Sequence, residues 1–333
     1  MQFLFDVFNI PPAMNLPLNV LGIILGFVLL IKSADFFVNA SIDIAKRLRI
    51  PSMLIGLTIV AMGTSAPELV ISASASISGS GDIAIANVVG SNIFNLLFIV
   101  GFCALLYPIP VKLKAISKEH WIASGGAVLL LVLIIAFRHT VPRFGSFILL
   151  ITFIIYMIIT VRNALKNRIE EIDTPQNDAT PQPSAKPIAL NIFILVAGIA
   201  VIVFAGNLTV SSAVEIATAI GITERMIALT IVASGTSLPE LVTGIIACSK
   251  KENEFTLGVI AGSNLFNLFF VLGVAGLIRP LSVESGVIFD LAALTVGNIA
   301  FFLFAYTKKR ITRFEGSLMM LMYLTYMFFV FWL

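Results

Sequence analysis

The chain has 333 residues, of which 59% are hydrophobic and only 12% charged, and its mean hydropathy is +1.04. Soluble domains carry about 25% charged residues, so this composition excludes an ordinary soluble enzyme and predicts an all-α polytopic membrane protein. The formal net charge of +3 comes from short basic loops, which gives no reason to expect a nucleic-acid partner.

Apolar runs near or above the ~20 residues that cross a bilayer recur along the chain. In chain order they predict ten spans, at 17–44, 51–77, 83–107, 121–137, 144–161, 188–217, 223–248, 255–278, 284–306 and 312–332. The opening "MQFLFDVFNIPPAM" lacks the basic n-region and small-residue cleavage site of a signal peptide. Segment 163–187, "NALKNRIEEIDTPQNDATPQPSAKP", reads as a flexible cytoplasmic linker between a first five-helix unit, 1–162, and a second, 188–333. Placing the amino terminus outside puts sixteen Lys and Arg residues in cytoplasmic loops against four outside, with Lys32 inside the first span. The positive-inside rule therefore predicts both termini on the outer side of a plasma membrane. Lys32 and Asp35 lie one turn apart and are expected to pair. Asp43, Asp82, Glu215 and Glu254 fall near span ends, His120 and His139 in or beside loops, and Cys103 and Cys248 inside apolar runs as small packing residues.

A shift of 172 residues aligns "TIVAMGTSAPELV" at 58–70 with "TIVASGTSLPELV" at 230–242, and without a gap "GSNIFN" at 90–95 with "GSNLFN" at 262–267. The two motifs, 58–95 and 230–267, lie five spans apart. Five is odd, so the copies are expected to run through the membrane in opposite directions. Two inverted five-helix repeats of this kind are a mark of secondary transporters, which bind their substrate where the repeats meet.

Glu68 is the only ionisable side chain between Arg49 and Asp82, and Glu240 the only one between Arg225 and Lys250. Each stands alone inside a span, at a cost of several kcal/mol unless a cation or proton neutralises it. Pro67 and Pro239 cannot donate to the carbonyls four residues back, so each span is expected to break into two half-helices. Ser65-x-x-Glu68 resembles the start of the second half. Free carbonyls beside Thr64 and Ser65, and beside Thr236 and Ser237, join the carboxylates in an oxygen-rich site for a hard cation. Asn95 and Asn267 are expected to add amide oxygens. Asn92 and Asn264 suit ligation and packing equally, and Gly90 and Gly262 suit close helix packing.

These motifs resemble the two alpha-repeats of the cation/calcium exchanger superfamily, in its sodium/calcium exchanger branch. The ten-span layout is similar to that of its prokaryotic members. The resemblance implies that Glu68 and Glu240 face each other around Ca2+, with the Thr64 and Thr236 carbonyls completing the shell. It implies sodium sites using the Ala61 and Ala233 carbonyls and the side chains of Ser65, Ser237, Ser91 and Ser263, with Asn95 near the centre. It further implies alternating access by a monomer with no cofactor, spans one and six sliding across a rigid core. Potassium-dependent relatives carry Asp where this chain has Asn267. Proton/calcium exchangers show a "GNATE"-like stretch in place of "GTS-x-PE". Sodium-driven, electrogenic calcium antiport is the expectation, with proton coupling as the alternative and a passive cation channel a more distant one.

Overall fold

The computed structural model describes residues 12–173, 187–222, 231, 233–283 and 286–332. It is all-helical apart from four two-residue strands. The helices are α1 (Pro12–Leu48), α2 (Ser52–Thr64), α3 (Ala66–Ser78), α4 (Gly81–Leu106), α5 (Leu113–Ala136), α6 (Arg143–Asp173), α7 (Ile188–Ala219) and the short α8 (Ala233–Gly235). They continue as α9 (Leu238–Ser249), α10 (Asn253–Ile278), α11 (Gly286–Lys308) and α12 (Arg313–Trp332).

Among the described residues seven helices are long and apolar enough to cross a membrane, or eight when α2 and α3, bent by 46° at their junction, count as one span. Of the ten expected stretches, 312–332 is occupied by α12. The stretch 223–248 is described only from residue 231 onward, as α8 and the 12-residue α9. The expected linker begins later than residue 163. Asn163 to Asp173 continue α6 as helix, because "NALKNRIEEID" contains good helix formers and neither Pro nor Gly. Residues 174–186 of the linker lie outside the described residues.

Burial sorts the spans. α4 and α10 are buried over 78% and 83% of their apolar windows, against 28–39% for α1, α5, α6, α7 and α11. The two central helices are thus walled by the others, whose outer faces expose Phe193, Val196 and Phe204 as a lipid-facing surface would. Gly258 and Gly262, one turn apart on α10, let α2 approach closely. A Cβ on Gly262 would meet that of Ala61 at 2.7 Å, so this glycine does serve packing. The 229–232 stretch that corresponds to the Gly262 neighbours on α2 is not described apart from residue 231. α1 and α7 pack on each other in a separate hydrophobic cluster, in which Phe37 and Ile202 are wholly buried.

The sequence repeat reappears as structure. β1 (Ile109–Pro110) pairs with β4 (Arg310–Ile311), and β2 (Thr140–Val141) with β3 (Leu281–Ser282), all antiparallel. Each bridge joins one half of the chain to the other. Ile109 and Leu281 are 172 residues apart and their partners Ile311 and Val141 are 170 apart, so exchanging the halves turns one pair into the other once a two-residue offset is allowed. Helix irregularities repeat too. α4 carries a π-helical stretch at Phe94–Ile99, and α10 carries one at Phe266–Val271. One expected pair is not formed as read. Asp35 bonds to Lys250, which caps the C-terminus of α9, at 2.6 Å and not to Lys32, because Lys250 also gains the Asn39 amide oxygen at 2.5 Å there.

Candidate cation site

The break between α2 and α3 builds one half of the site. Pro67 has no N–H for the Gly63 carbonyl and Pro239 none for Gly235, so neither helix runs on undisturbed. Ser65 and Ser237 stand at the breaks with φ, ψ of −86°, 14° and −90°, 12°. Both occupy the position of an N-cap, yet neither side chain caps its helix. Ser65 Oγ instead donates to Glu240 Oε1 at 2.7 Å, and Ser237 Oγ makes the reciprocal bond to Glu68 Oε1 at 3.1 Å. The Thr64 and Thr236 hydroxyls lie against Glu240 and Glu68 in the same crossed pattern.

α4 and α10 supply the second layer. Ser91 Oγ reaches Glu68 Oε1 at 3.5 Å, and Ser263 Oγ reaches Glu240 Oε1 at 3.4 Å. Each carboxylate therefore has one oxygen held by two serines, one from each half of the chain. The other oxygen, Oε2, has no partner on either residue, and both side chains are wholly buried. Asn95 and Asn267 follow one turn after these serines, inside the π-helical stretches of α4 and α10. A π turn displaces side chains from the regular helical face and is frequent at functional sites. Asn95 Nδ2 donates to Asn264 Oδ1 at 3.2 Å, which leaves its own Oδ1 unpartnered. Neither polar atom of the Asn267 side chain has a partner.

Two carboxylate and two amide oxygens thus lie buried without a donor: Glu68 Oε2, Glu240 Oε2, Asn95 Oδ1 and Asn267 Oδ1. Leaving such oxygens unpartnered costs several kcal/mol, a cost that hard-cation ligation would offset. Among the described residues no group of three or more His, Cys, Asp or Glu stands together. The donors are hard oxygens, which suit Na+ or Ca2+ and not a thiolate- or imidazole-seeking metal.

Other expected residues fall less simply. The Ala61 carbonyl already accepts the Ser65 N–H at 3.0 Å and the Thr64 hydroxyl at 3.3 Å, so both of its lone pairs are engaged. Ala233 opens α8, and its side chain lies outside the described set. Asn92 and Asn264 each donate to the other's backbone carbonyl, at 3.0 and 3.3 Å, and so clamp α4 to α10. His120, expected in or beside a loop, lies inside α5 and is 7% exposed. Two supports escaped the sequence reading. Asn87 Nδ2 donates to the Glu68 carbonyl at 3.3 Å and to Ser72 Oγ at 2.9 Å. The available signal was Ser72, a polar residue one turn after the isolated Glu.

An all-helical membrane protein with a buried, oxygen-rich site built on two carboxylates is the class that these features define. The chain belongs to the sodium/calcium exchanger protein family, whose model matches residues 18–162 and 190–332. It is 35% identical to the putative antiporter CaxA of Alkalimonas amylolytica, across 93% of this chain and 97% of that protein. It is 33% identical to the sodium/calcium exchanger MaX1 of Methanosarcina acetivorans, across 95% and 99% of the two chains. Its fold is similar to that of the sodium-calcium exchanger NCX_Mj soaked with 2.5 mM Na+ and 10 mM Sr2+. That match has a TM-score of 0.79 at 30% identity and covers 93% of this chain and 98% of the other. Membership places the chain among membrane antiporters that exchange cations, Ca2+ among them.

Proposed function

We propose that the chain is a sodium-driven calcium antiporter that works as a monomer by alternating access and moves net charge. The observation that carries this reading is the two crossed serine–carboxylate pairs, each with a buried, unpartnered carboxylate oxygen, together with the unpartnered amide oxygens of Asn95 and Asn267. Glu68 and Glu240 neutralise one Ca2+, with the Thr64 and Thr236 carbonyls beside them. Ser65, Ser237, Ser91 and Ser263, with the Ala233 carbonyl, serve Na+. Asn95 and Asn267 supply amide oxygens at the centre. The Ala61 carbonyl joins only if Thr64 turns away. A supply of neutral oxygens beyond the two carboxylates suits an ion that needs ligands, whereas a proton needs only the carboxylate itself.

The same reading places ten spans in two inverted repeats, 1–162 and 188–333, joined by the cytoplasmic segment 163–187. Both termini then lie outside a plasma membrane. The half-swapped pairing of the two β-bridges supports it. So does the Lys112–Glu254 ion pair at 2.5 Å, since both residues fall on the cytoplasmic side in that topology.

The test is radiolabelled calcium uptake into sealed proteoliposomes. An outward sodium gradient at fixed pH should drive uptake, and, with more than two Na+ leaving for each Ca2+ that enters, an inside-positive potential should speed it. Uptake that follows a proton gradient and ignores sodium would assign the chain to proton coupling. Uptake that needs no opposing gradient and runs only downhill would make it a channel.

A further inference from the structure

A buried acid with an unpartnered oxygen also stands apart from Glu68 and Glu240. Glu119, on α5, is 7% exposed, and its Oε2 has no hydrogen-bond partner. Its Oε1 receives the Tyr156 hydroxyl of α6 at 3.4 Å, at the long end of such bonds. Glu119 lines a cavity of about 30 Å³ with His120, Asn264 and Asn298, between otherwise apolar walls from α4, α5, α10 and α11. One water needs roughly 10–15 Å³ on this measure, so the cavity holds about two. In the other half of the chain Tyr326 of α12 donates to Asp290 of α11 at 3.0 Å, a tighter version of the same acid–tyrosine pair. Of these two acids, Glu119 is the one that is loosely held, orphaned at one oxygen and beside water-sized space.

An unpaired buried carboxylate must take up positive charge. Lys118, its neighbour on α5, lies with its Nζ 5.6 Å from the centre of the Tyr156 ring and acts on Glu119 only through space, with no ion pair between the two among the described residues. His120 has its ring stacked on Phe301 and Phe302, with centroids 5.4 and 5.5 Å away. The cavity walls from α4, α10 and α11 carry no ionisable side chain. A metal ion would find one carboxylate and two amides, too few oxygens for the ~6–8 ligands that calcium takes. A proton needs the carboxylate alone.

We propose that this cavity is a proton site distinct from the transport site, in which Glu119 takes a proton at Oε2 from water at the Lys112–Lys118 end of the protein. Asn264 is both a wall of the cavity and the acceptor of the Asn95 amide at 3.2 Å. Through that shared residue the proton on Glu119 alters the setting of Asn95. Protonation converts an acceptor-only carboxylate into a donor that can bond a cavity water or an amide oxygen. The link to transport rests on the antiport reading above; the proton site itself does not.

Infrared titration of the full-length reconstituted protein tests the site without transport. A carboxylic-acid C=O band should titrate, should vanish in Glu119→Gln, and should persist in the Glu68→Gln/Glu240→Gln double variant. Glu119→Asp should restore a titrating band, and Tyr156→Phe should move its midpoint. If Glu119→Gln does not fold, those last two variants decide the matter. A spectrum that Glu119→Gln leaves unchanged, or that Glu119→Asp and Tyr156→Phe both leave unchanged, overturns the site. A carboxylate band that responds to sodium and not to pH overturns it in favour of an alkali cation. The coupling is read from calcium uptake against pH on the Lys118 side, where Glu119→Gln should displace the profile by at least about one pH unit. An intact band with an undisplaced profile overturns the coupling and leaves the transport assignment untouched.

Discussion

In the half of the site built on α3, Asn87 donates to both the Glu68 carbonyl and Ser72, and Ser72 sits one turn from the carboxylate. In the half built on α9, the matching positions are Val259 and Gly244. At the carboxylates themselves the halves agree. Each Glu has its Oε1 held by a serine of its own half and one of the other. A turn further out, Ser76 donates to the Ala275 carbonyl at 2.6 Å, while its counterpart Cys248 reaches the Cys103 carbonyl at 3.5 Å. The geometry is retained there but the donor is the weaker thiol. The lesson is one of range. Symmetry is kept at the two carboxylates, in the Asn92–Asn264 clamp and in the β-bridges, and is given up at Asn87 and Ser72, one turn from Glu68.

The sharpest way to break this comparison is to ask whether the halves run in opposite directions. Cysteine at position 82 should react with an impermeant reagent from outside, and cysteine at 254 only from inside, after Cys103 and Cys248 are replaced. Labelling of both from one side would remove the inverted relation. Next in size is the loss of either carboxylate. Two unit charges ~4 Å apart interact by about 4 kcal/mol at an effective dielectric near 20. Glu68→Gln and Glu240→Gln should therefore each reduce calcium uptake by more than about a hundredfold, with the purified variants still folded by thermal denaturation. Wild-type uptake in both would displace the site.

The serines should matter less and should matter in pairs. A hydrogen bond to a charged group contributes about 1.5–3 kcal/mol, so Ser65→Ala and Ser237→Ala should each weaken half-saturating calcium roughly tenfold or more. Ser65 makes the shorter bond and should show the larger effect. A null result for Ser65 beside a large one for Ser237 would contradict the geometry. Smallest is the test of the asymmetry itself. Asn87→Val makes the first half resemble the second at one position and removes two neutral bonds worth about 1 kcal/mol each. It should lower thermal stability while leaving uptake within a few-fold of wild type. An effect on uptake as large as that of Glu68→Gln would place Asn87 in the site.

The core of the site could be read in the sequence because its chemistry is local and costly. A lone Glu after a Pro, inside an apolar run, demands both a broken helix and a counter-charge, and both demands are visible within eight residues. Long-range pairings were not visible. Nothing near Ser65 shows that its hydroxyl leaves its own helix for Glu240, and nothing near Lys32 shows that Lys250 will take Asp35. The π-helical stretches were hidden because one extra residue, in a run where the asparagine is the one polar side chain, leaves no break in the hydrophobic pattern. Glu119 was hidden by its neighbours, since "KLKAISKEH" reads as a solvated basic loop although Glu119 and His120 point inward from α5. The repeat itself was legible, and the bridges formed by residues 109–110 and 281–282 extend its 172-residue spacing past the matched motifs.

The π-helical stretches at Phe94–Ile99 and Phe266–Val271 also carry a record of descent. A π turn arises when one residue is inserted into a regular helix, and each residue of an α-helix accounts for about 100° of rotation. Two independent insertions at the same place in both halves are far less economical than one insertion copied by duplication. Deleting one residue in either stretch today would swing everything after it by about a quarter turn, which makes the length of this segment as constrained as its letters.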